Sequence, residues 1–321
     1  MMALLDLSDF EKAYENARNH VHHTPLLTNR TLSQMTGANI HLKAELFQKT
    51  GSYKIRGPLN VLANMSAEDR KRGLICSSAG NHAQGVAYAA RVYGVSATVV
   101  MAANATQSKI DATRGYGAEV ILHGEIWDDA YEKSLEIQKE QGQIYVHPFD
   151  NPLLIAGQGG VGLEILQDLP DVDIVVVPIG GGGLISGISM AIKLQKPDVK
   201  IIGVESSGAP AMKNSVEAGK RIKLDNVTCI IDGLVVKQVG EHTLRTVQEF
   251  VDEIVLVSDE EIFETILWVM ERAKMSAEGA AVASVAALMH QRFDIPEGAN
   301  IACVLSGGNL DLSQLRGLKW N

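Results

Sequence analysis

The chain has 321 residues, of which 46% are hydrophobic and 21% are charged, a composition typical of a globular protein and not of a disordered chain. Its 38 acidic and 29 basic residues give a formal net charge of −9. Because no basic stripe accompanies them, nucleic acid and acidic membrane surfaces are excluded as expected partners. Cys76, Cys229 and Cys303 are far apart among apolar neighbours, which predicts reduced thiols packed in strands. The N-terminus shows no signal-peptide pattern and no apolar run reaches about 18 residues, so we expect a cytoplasmic protein without membrane contact.

Short apolar runs alternate with helical patterns from residue 72 onward, which predicts parallel βαβ units. In the N-terminal part, Ser8 and Glu11 form a candidate capping box for a helix over 9–20, and 40–45 is a predicted strand. A first series has predicted strands at 74–78, 97–101, 118–122 and 143–147 and helices at 81–94, 106–117 and 125–141. A second series has helices at 152–168, 184–195, 259–274 and 277–291 and strands at 173–179, 199–205, 253–258 and 299–306. The proline-containing segment 147–152 separates the two series and marks a lobe boundary.

Segment 50–60 places a lysine at the start of a predicted helix. Gly51 permits a tight turn, Ser52 is a candidate cap, and Lys54 falls in the first helical turn. A cation there faces the positive end of the helix dipole, so the site favours the neutral amine, which is the form that reacts with aldehydes. We therefore expect Lys54 to titrate at about pH 7–8, where nucleophilic lysines act. An exposed lysine without a task is the alternative.

Three further segments lie where a predicted strand gives way to a turn or helix. In 77–87, Asn81 and His82 open a helix whose free backbone N–H groups can bind a carboxylate. In 178–187, four consecutive glycines can wrap a phosphate at the start of the next helix. In 304–312, Ser306 ends a strand, where its hydroxyl can partner a ring nitrogen. Each segment taken alone is also explained as an ordinary cap or turn.

The four segments together predict one ligand-binding cleft. Ligands of open α/β sheets bind where strands end and turns begin, which is where all four segments lie. They supply an amine, a carboxylate cradle, a phosphate cradle and a partner for a ring nitrogen. That set matches pyridoxal phosphate together with an amino-acid substrate.

With these motifs in family order, the chain resembles the fold-type II (tryptophan synthase β-like) pyridoxal-phosphate enzymes, specifically the threonine/serine dehydratase and serine racemase family. The resemblance covers nearly the full length and is carried by the motifs SYKIRG (52–57), SAGNH (78–82), HPFD (147–150), AGQG (156–159), GGGGL (180–184) and SGGN (306–309). Tyr53 is a departure, because family members usually have Phe before the lysine. The resemblance implies an α/β fold of two open, twisted, mostly parallel-sheet lobes with the cofactor in the cleft between them. The corresponding domains are a large cofactor-binding domain, 1–66 and 151–321, and a small substrate-carboxylate domain, 67–150.

The resemblance also implies a role for each motif residue. Lys54 would form the Schiff base with the cofactor, Asn81 would contact the pyridine 3-hydroxyl, and Ser306 would meet the pyridine nitrogen. The phosphate would be held by the backbone N–H groups of Gly180, Gly181, Gly182, Gly183 and Leu184. The ring pocket would be lined by Tyr53, Phe149 and Gly233. The substrate carboxylate would be met by Ser78, Ala79, Gly80, Asn81 and His82.

The implied reaction is the elimination of water from a small β-hydroxy amino acid of the L-threonine or L-serine type, giving a 2-keto acid and ammonia. Lys54 would take the Cα proton. Racemases of the family generally place a serine on the opposite face of the substrate; the corresponding residue here is Ala79, which favours elimination. A serine racemase, or a dehydratase acting on 3-hydroxyaspartate or phenylserine, is the alternative. A catalytically silent amino-acid sensor and a nucleotide-binding dehydrogenase are alternatives from other classes.

Further expectations concern a metal and the assembly. A Mg²⁺ or Mn²⁺ site would use Glu205 and the carbonyl of Ala209, but the third ligand position is Ala211, which is not acidic. Since the chain ends at Asn321, soon after the SGGN turn, we expect no regulatory domain and no isoleucine feedback, as in short catabolic dehydratases. The family's habit implies a homodimer or homotetramer.

Overall fold

The computed structural model describes residues 5–311. Its α-helices are α1 (Leu7–Ala17), α2 (Arg30–Thr36), α3 (Arg56–Ala63), α4 (Ala67–Arg72), α5 (Asn81–Tyr93), α6 (Gln107–Gly115), α7 (Trp127–Gln141), α8 (Pro152–Gln158), α9 (Gly160–Asp168), α10 (Gly183–Lys193), α11 (Ala211–Ala218), α12 (Glu241–Phe250), α13 (Asp259–Trp268) and α14 (Gly279–Met289). Its strands are β1 (Leu26–Thr28), β2 (Asn39–Ala44), β3 (Leu74–Ser77), β4 (Ala97–Met101), β5 (Glu119–Leu122), β6 (Ile144–Tyr145), β7 (Ile174–Pro178), β8 (Lys200–Ser206), β9 (Glu253–Val257) and β10 (Asn300–Leu305). Among these elements no helix is long and apolar enough to cross a membrane.

The larger sheet has six strands in the order β1-β2-β10-β7-β8-β9, and all pairings except β1 with β2 are parallel. Its central strands are buried on both faces because their side chains alternate between two cores. Ile174 and Val176 of β7 pack in the core that contains α14, whereas Val175 and Val177 pack in the core that contains α9 and α10. The near-continuous apolar runs of these strands follow from this double coverage.

The smaller sheet is fully parallel, with four strands in the order β5-β4-β3-β6. On one face, Ile75 and Val100 pack against Ala130 and Ile137 of α7. The opposite face packs on α5, in a core that includes Cys76 of β3. The strands of this sheet all come from residues 74–145, and those of the larger sheet come from 26–44 and 174–305.

Several predicted elements differ from the structure. The cap of α1 is Asp6, which forms a capping box with Asp9, whereas the predicted cap, Ser8, donates its hydroxyl to the Asp6 carboxylate. The predicted helix 152–168 is two helices, α8 and α9, that meet at Gly159, where a Cβ would lie 2.3 Å from the Phe10 ring. The predicted helix 259–274 ends as α13 at residue 268 and continues as a π-helical turn. The three cysteines are free and buried, but Cys229 lies in the loop between α11 and α12 and not in a strand.

Candidate active site

The lysine turn and the SGGN turn are joined directly by backbone hydrogen bonds. Tyr53 N donates to Ser306 O over 3.2 Å, and Gly308 N donates to Gly51 O over 2.8 Å. Gly51 has a φ of +72°, and a Cβ there would lie 2.6 Å from an Asn309 side-chain oxygen, so both its conformation and its surroundings require glycine. The end of β10 therefore holds the Lys54 turn in place.

The helix α5 packs closely on the same turn. At Gly85 a Cβ would lie only 2.3 Å from the Lys54 carbonyl oxygen, so a side chain there would push the helix away. Lys54 itself lies in a 3₁₀ turn, Tyr53–Ile55, that continues into α3. The predicted cap, Ser52, precedes that turn but makes no side-chain capping bond, and its buried hydroxyl has no hydrogen-bond partner within residues 5–311. The start of α5, with Asn81, is thus brought against the lysine.

The glycine loop joins β7 to α10, and the HPFD segment lies between this loop and the lysine. Lys54 Nζ donates to Pro148 O over 2.9 Å. A Cβ at Gly181 would lie 2.1 Å from the Phe149 ring, so the loop backbone lies against that ring. Gly182 is the N-cap of α10 with a φ of +90°, and a Cβ at Gly180 would lie 2.2 Å from the Gly233 carbonyl oxygen. Gly233 is itself exposed.

Burial lowers the pKa of Lys54 to about 8, and the nearby Glu278 carboxylate opposes that shift. The direction agrees with the sequence prediction, but the main cause is loss of solvation and not the helix dipole. The Lys54 ammonium lies 5.2 Å from the centre of the Tyr53 ring, and burial also raises the pKa of Tyr53. A lysine with this pKa is a neutral amine in a substantial fraction of molecules near pH 8.

Glu278, at the N-cap of α14, is the site residue that the sequence analysis missed. Asn81 Nδ2 donates to Glu278 Oε1 over 2.6 Å, and Asn309 Nδ2 donates to Asn81 Oδ1 over 2.7 Å. Burial raises the pKa of Glu278 to about 7. An acidic residue directly before a strongly apolar helix was a visible signal, but only the fold places it beside Asn81 and near Lys54.

The predicted carboxylate cradle follows β3. Ser78, Ala79 and Gly80 are partly buried, and Ser78 and Ala79 line a cavity of about 340 Å³ together with Trp127. The side chain of His82 turns inward, where its Nε2 lies 2.9 Å from the Val146 carbonyl oxygen. Since a carbonyl only accepts, Nε2 carries the proton, and burial lowers the His82 pKa to about 3. His82 is therefore neutral at physiological pH.

A buried ionic network lies behind the lysine turn. Arg56 Nε and a terminal nitrogen donate to Glu45 at 2.9 and 2.7 Å, and the guanidinium also donates to Glu164 at 2.8 and 2.9 Å. Lys43 Nζ lies 2.7 Å from the Glu164 carboxylate. These side chains are at most 1% exposed. The network connects the start of α3 to β2 and α9, and it fixes the backbone two residues after Lys54.

The residues expected to bind a metal are engaged with backbone groups of α11. The Glu205 carboxylate accepts from Met212 N and Lys213 N, each over 2.8 Å, and Ala209 O accepts from Ala211 N over 2.9 Å. Burial raises the pKa of Glu205 to about 7. Within residues 5–311 no group of three or more His, Cys, Asp or Glu side chains could hold a metal ion.

The residues of the site fit pyridoxal phosphate. A nucleophilic amine lies on one side of the HPFD segment, and the glycine loop lies on the other, at the N-terminus of α10, where backbone N–H groups favour a phosphate. The hydroxyls of Thr50 and Ser52 are buried beside the lysine turn and have no hydrogen-bond partner in the described part of the chain, and neither has the side-chain amide of Gln158, which lies against Gly183. Buried polar groups of this kind normally have partners.

Comparison with known proteins agrees with this geometry. The family model described as pyridoxal-phosphate dependent enzyme matches residues 17–307. An L-threonine ammonia-lyase of Thermotoga maritima is 49% identical over 312 residues, which are 97% of this chain and 77% of the relative. The processed form of threonine deaminase isoform 2 from Solanum lycopersicum is 37% identical, with a TM-score of 0.92 over 98% of this chain and 94% of that chain. Maize serine racemase is 33% identical, with a TM-score of 0.93 over 98% and 96%. The chain therefore belongs to the family of pyridoxal-phosphate dependent enzymes and has the α/β fold predicted from its sequence.

Proposed function

We propose that the protein eliminates water from a small β-hydroxy amino acid of the L-threonine or L-serine type and releases a 2-keto acid and ammonia. The observation that carries this proposal is the partly buried Lys54, with its pKa lowered to about 8, beside a glycine loop at a helix N-terminus. The relatives named threonine ammonia-lyase and threonine deaminase support this reaction class.

We propose the following roles for the chain's own residues. Backbone N–H groups of Gly180–Leu184 hold the phosphate, since they open α10 and carry the positive end of its dipole. Asn81 contacts the 3-hydroxyl and Ser306 contacts the pyridine nitrogen, because the helix that begins at Asn81 and the backbone of Ser306 both pack on the Lys54 turn. Tyr53, Phe149 and Gly233 line the ring pocket. The substrate carboxylate binds at Ser78–His82, and His82 contributes its backbone N–H because its side chain is committed to Val146.

When bound, pyridoxal phosphate supplies the aldehyde that captures the substrate amine and the ring that takes up the electron pair released at Cα. Lys54, as a neutral amine, takes up the Cα proton. The hydroxyl of Ser306 does not hold a proton on a ring nitrogen as a carboxylate would, so it gives little support to long-lived negative charge at Cα. This environment favours rapid departure of the β-hydroxyl, which would leave as water by taking up the proton that Lys54 removed from Cα.

Ala79 directs the proposal toward elimination and away from racemisation. It lies in the partly buried turn after β3, and its methyl group can neither give nor take a proton. Racemisation needs a group that can donate or accept a proton on the face opposite Lys54. The similarity to maize serine racemase keeps serine racemase as the second candidate, with 3-hydroxyaspartate and phenylserine as alternative substrates for elimination.

We also propose a domain division, an oligomeric state and a test of the metal site. We propose a small domain, 67–150, which contains the four-stranded sheet, and a large domain, 1–66 and 151–321, of which 1–4 and 312–321 lie outside the described residues. We expect a cytoplasmic homodimer or homotetramer. Binding of Mg²⁺ or Mn²⁺ at Glu205 and Ala209 would have to displace the backbone donors of α11. Unchanged activity after chelation would remove the metal from the proposal.

The test compares wild type with Lys54→Ala. Lys49→Ala is the matched control, because Lys49 is an exposed lysine five residues before Lys54. We expect wild type and the control to show the absorbance of lysine-bound cofactor and to form keto acid from threonine or serine, and Lys54→Ala to lose both. Keto acid formation by Lys54→Ala would refute the mechanism. Cofactor absorbance without keto acid from any β-hydroxy amino acid would favour the sensor, and absence of the absorbance from wild type would refute the proposal altogether.

A further inference from the structure

Glu278 has no part in the reaction as proposed above, yet it lies within the site. Its carboxyl is partly buried, and Asn81 Nδ2 donates to it over 2.6 Å. Asn81 is the residue to which the proposed function gives the cofactor's 3-hydroxyl. The inference below therefore rests on that function.

The hydrogen bonds around Asn81 fix which end of its amide faces which neighbour. Thr50 O is a carbonyl and only accepts, so the atom of Asn309 that lies 2.9 Å from it must be the donor Nδ2. The same Nδ2 also donates to Asn81 Oδ1 over 2.7 Å, which turns Asn81 Nδ2 toward Glu278. Glu278 is the acceptor that completes this chain. The second N–H of Asn81 Nδ2 remains available for an oxygen of a ligand.

The carboxyl of Glu278 is itself held in place. The backbone N of Glu278 donates to Gly307 O over 3.1 Å, at the start of α14. A Cβ at Gly307 would lie 2.4 Å from Glu278 Oε1, so the carboxyl occupies the space that any side chain at that position would need. Gly307 follows Ser306, so the turn that carries the proposed ring-nitrogen partner also contacts the Glu278 backbone and carboxyl.

Charged and titratable groups from the surrounding elements face Glu278. Burial raises its pKa to about 7, the hydrogen bond from Asn81 opposes that shift, Asp232 adds to it, and Lys109 and Lys54 oppose it. Glu278 in turn raises the pKa of Tyr53 and of Lys54. Loss of the Glu278 negative charge on protonation would therefore lower the Lys54 pKa further.

We propose that Glu278 is a positioning residue that orients the Asn81 amide toward the 3-oxygen of the cofactor and couples its own protonation to the charge at Lys54. The role needs an acceptor at this position for orientation and an ionisable group for coupling. Glu278→Gln keeps the acceptor and removes the ionisation, and Glu278→Ala removes both. The two substitutions therefore separate the two parts of the role.

The experiment measures, for purified protein, the dissociation constant for pyridoxal phosphate after reconstitution and the pH titration of the bound-cofactor absorbance. We expect Glu278→Ala to weaken cofactor binding by roughly 10-fold to 100-fold, the loss of one hydrogen bond in a desolvated site. We expect wild type to show a step in the cofactor absorbance near pH 7, where Glu278 titrates, and Glu278→Gln to bind cofactor close to wild type but to lack that step. Glu261→Gln is the matched control, because this partly buried carboxylate of α13 caps its own helix through Ser258 N.

Two results would overturn the inference. One is a Glu278→Gln titration that superimposes on those of wild type and Glu261→Gln. The other is a dissociation constant for Glu278→Ala equal to that of Glu261→Gln. In both cases wild type would still bind cofactor and form keto acid, so the proposed function would survive. A wild type that binds no cofactor would instead refute the proposed function.

Discussion

Arg56 supports the site through burial of charge, and Arg56→Met is the substitution that tests this. The guanidinium makes two hydrogen bonds with Glu45 and two with Glu164, all between 2.7 and 2.9 Å. Methionine retains much of the volume and removes all four bonds. After the substitution Glu164 still has Lys43 at 2.7 Å, but among the described residues the one hydrogen bond left to the Glu45 carboxylate is that from the Thr24 hydroxyl at 2.5 Å.

The cost follows from leaving a charge without its cation in a fully buried place. Glu45 and Glu164 are both 0% exposed. Removal of one partner of such a pair costs about 3–5 kcal/mol in the free energy of unfolding. At about 2 °C per kcal/mol for a chain of this size, the midpoint of thermal unfolding should fall by roughly 6–10 °C. Because the Lys54 turn continues into the helix that begins at Arg56, cofactor affinity should fall as well.

The pH dependence identifies Glu45 as the cause. In wild type, Arg56 lowers the pKa of Glu45. Without that cation, burial would raise the Glu45 pKa above its value in the unfolded chain, so the folded variant would take up a proton more readily than the unfolded one. Stability of the variant is then greater at low pH and declines as pH rises through the raised pKa. The deficit relative to wild type should accordingly be larger at pH 7 than at pH 5.

Thermal unfolding of the cofactor-free protein at these two pH values measures the effect. Arg18→Met is the control, since Arg18 makes an exposed ion pair with Glu15 one helical turn away, a pair worth less than about 1 kcal/mol. Adding Glu45→Gln to Arg56→Met should recover part of the loss, because it removes the stranded charge. A midpoint for Arg56→Met within about 2 °C of Arg18→Met would refute the reasoning, since that difference is only about 1 kcal/mol.

Three further predictions test the site. Gly182→Ala and Gly37→Ala each place alanine at a positive φ, so each should lose about 1–2 kcal/mol of stability. Only Gly182→Ala should also weaken cofactor binding, because its Cβ would lie 2.5 Å from a side-chain carbon. A titration of each variant with pyridoxal phosphate measures the difference. Ala79→Ser should raise the ratio of D-serine to pyruvate formed from L-serine. An unchanged ratio in a chiral assay would contradict the proposal that residue 79 lies on the face of the substrate opposite Lys54. Buried neutral His82 binds fewer protons than in the unfolded chain between about pH 3 and its ordinary pKa of 6.5, so its contribution to stability declines as pH falls from 6.5. His82→Gln should therefore lose less stability than wild type between pH 7 and 4.5.

The strand-to-turn motifs were predictable because each is a local pattern. The apolar run of β7 followed by four glycines predicts both the strand and the anion-binding turn, and the structure places β7 at Ile174–Pro178, within the predicted 173–179. The predicted strand 97–101 matches β4 over its whole length. Parallel strands that are buried on both faces read as apolar runs, so their positions depend little on the rest of the chain. Because all four motifs follow predicted strands, the same pattern is the basis for predicting that they lie in one cleft.

The partners of buried charges were not predictable, because they depend on contacts between distant parts of the chain. Asn81 and Glu278 are 197 residues apart, and Arg56 and Glu164 are 108 residues apart. The local pattern around Glu164 does not distinguish it from an exposed carboxylate of a helical surface, and the pattern around Glu278 marks only an acidic residue before an apolar helix. The predicted capping box at Ser8 was wrong for a different reason, because the helix begins two residues earlier, where Asp6 and Asp9 cap it, and no pattern ranks the two pairs.

Lys54 shows how a correct prediction can rest on a secondary cause. The helix-start position predicts a lowered pKa through the dipole, whereas burial is the largest cause of the lowering. The distinction matters, because a dipole effect is fixed by the backbone, whereas desolvation depends on how completely the cleft excludes water. Anything that opens the cleft should raise the Lys54 pKa toward 10.5 and reduce the neutral fraction at a given pH. Exclusion of water from the cleft is therefore what keeps the Lys54 pKa low.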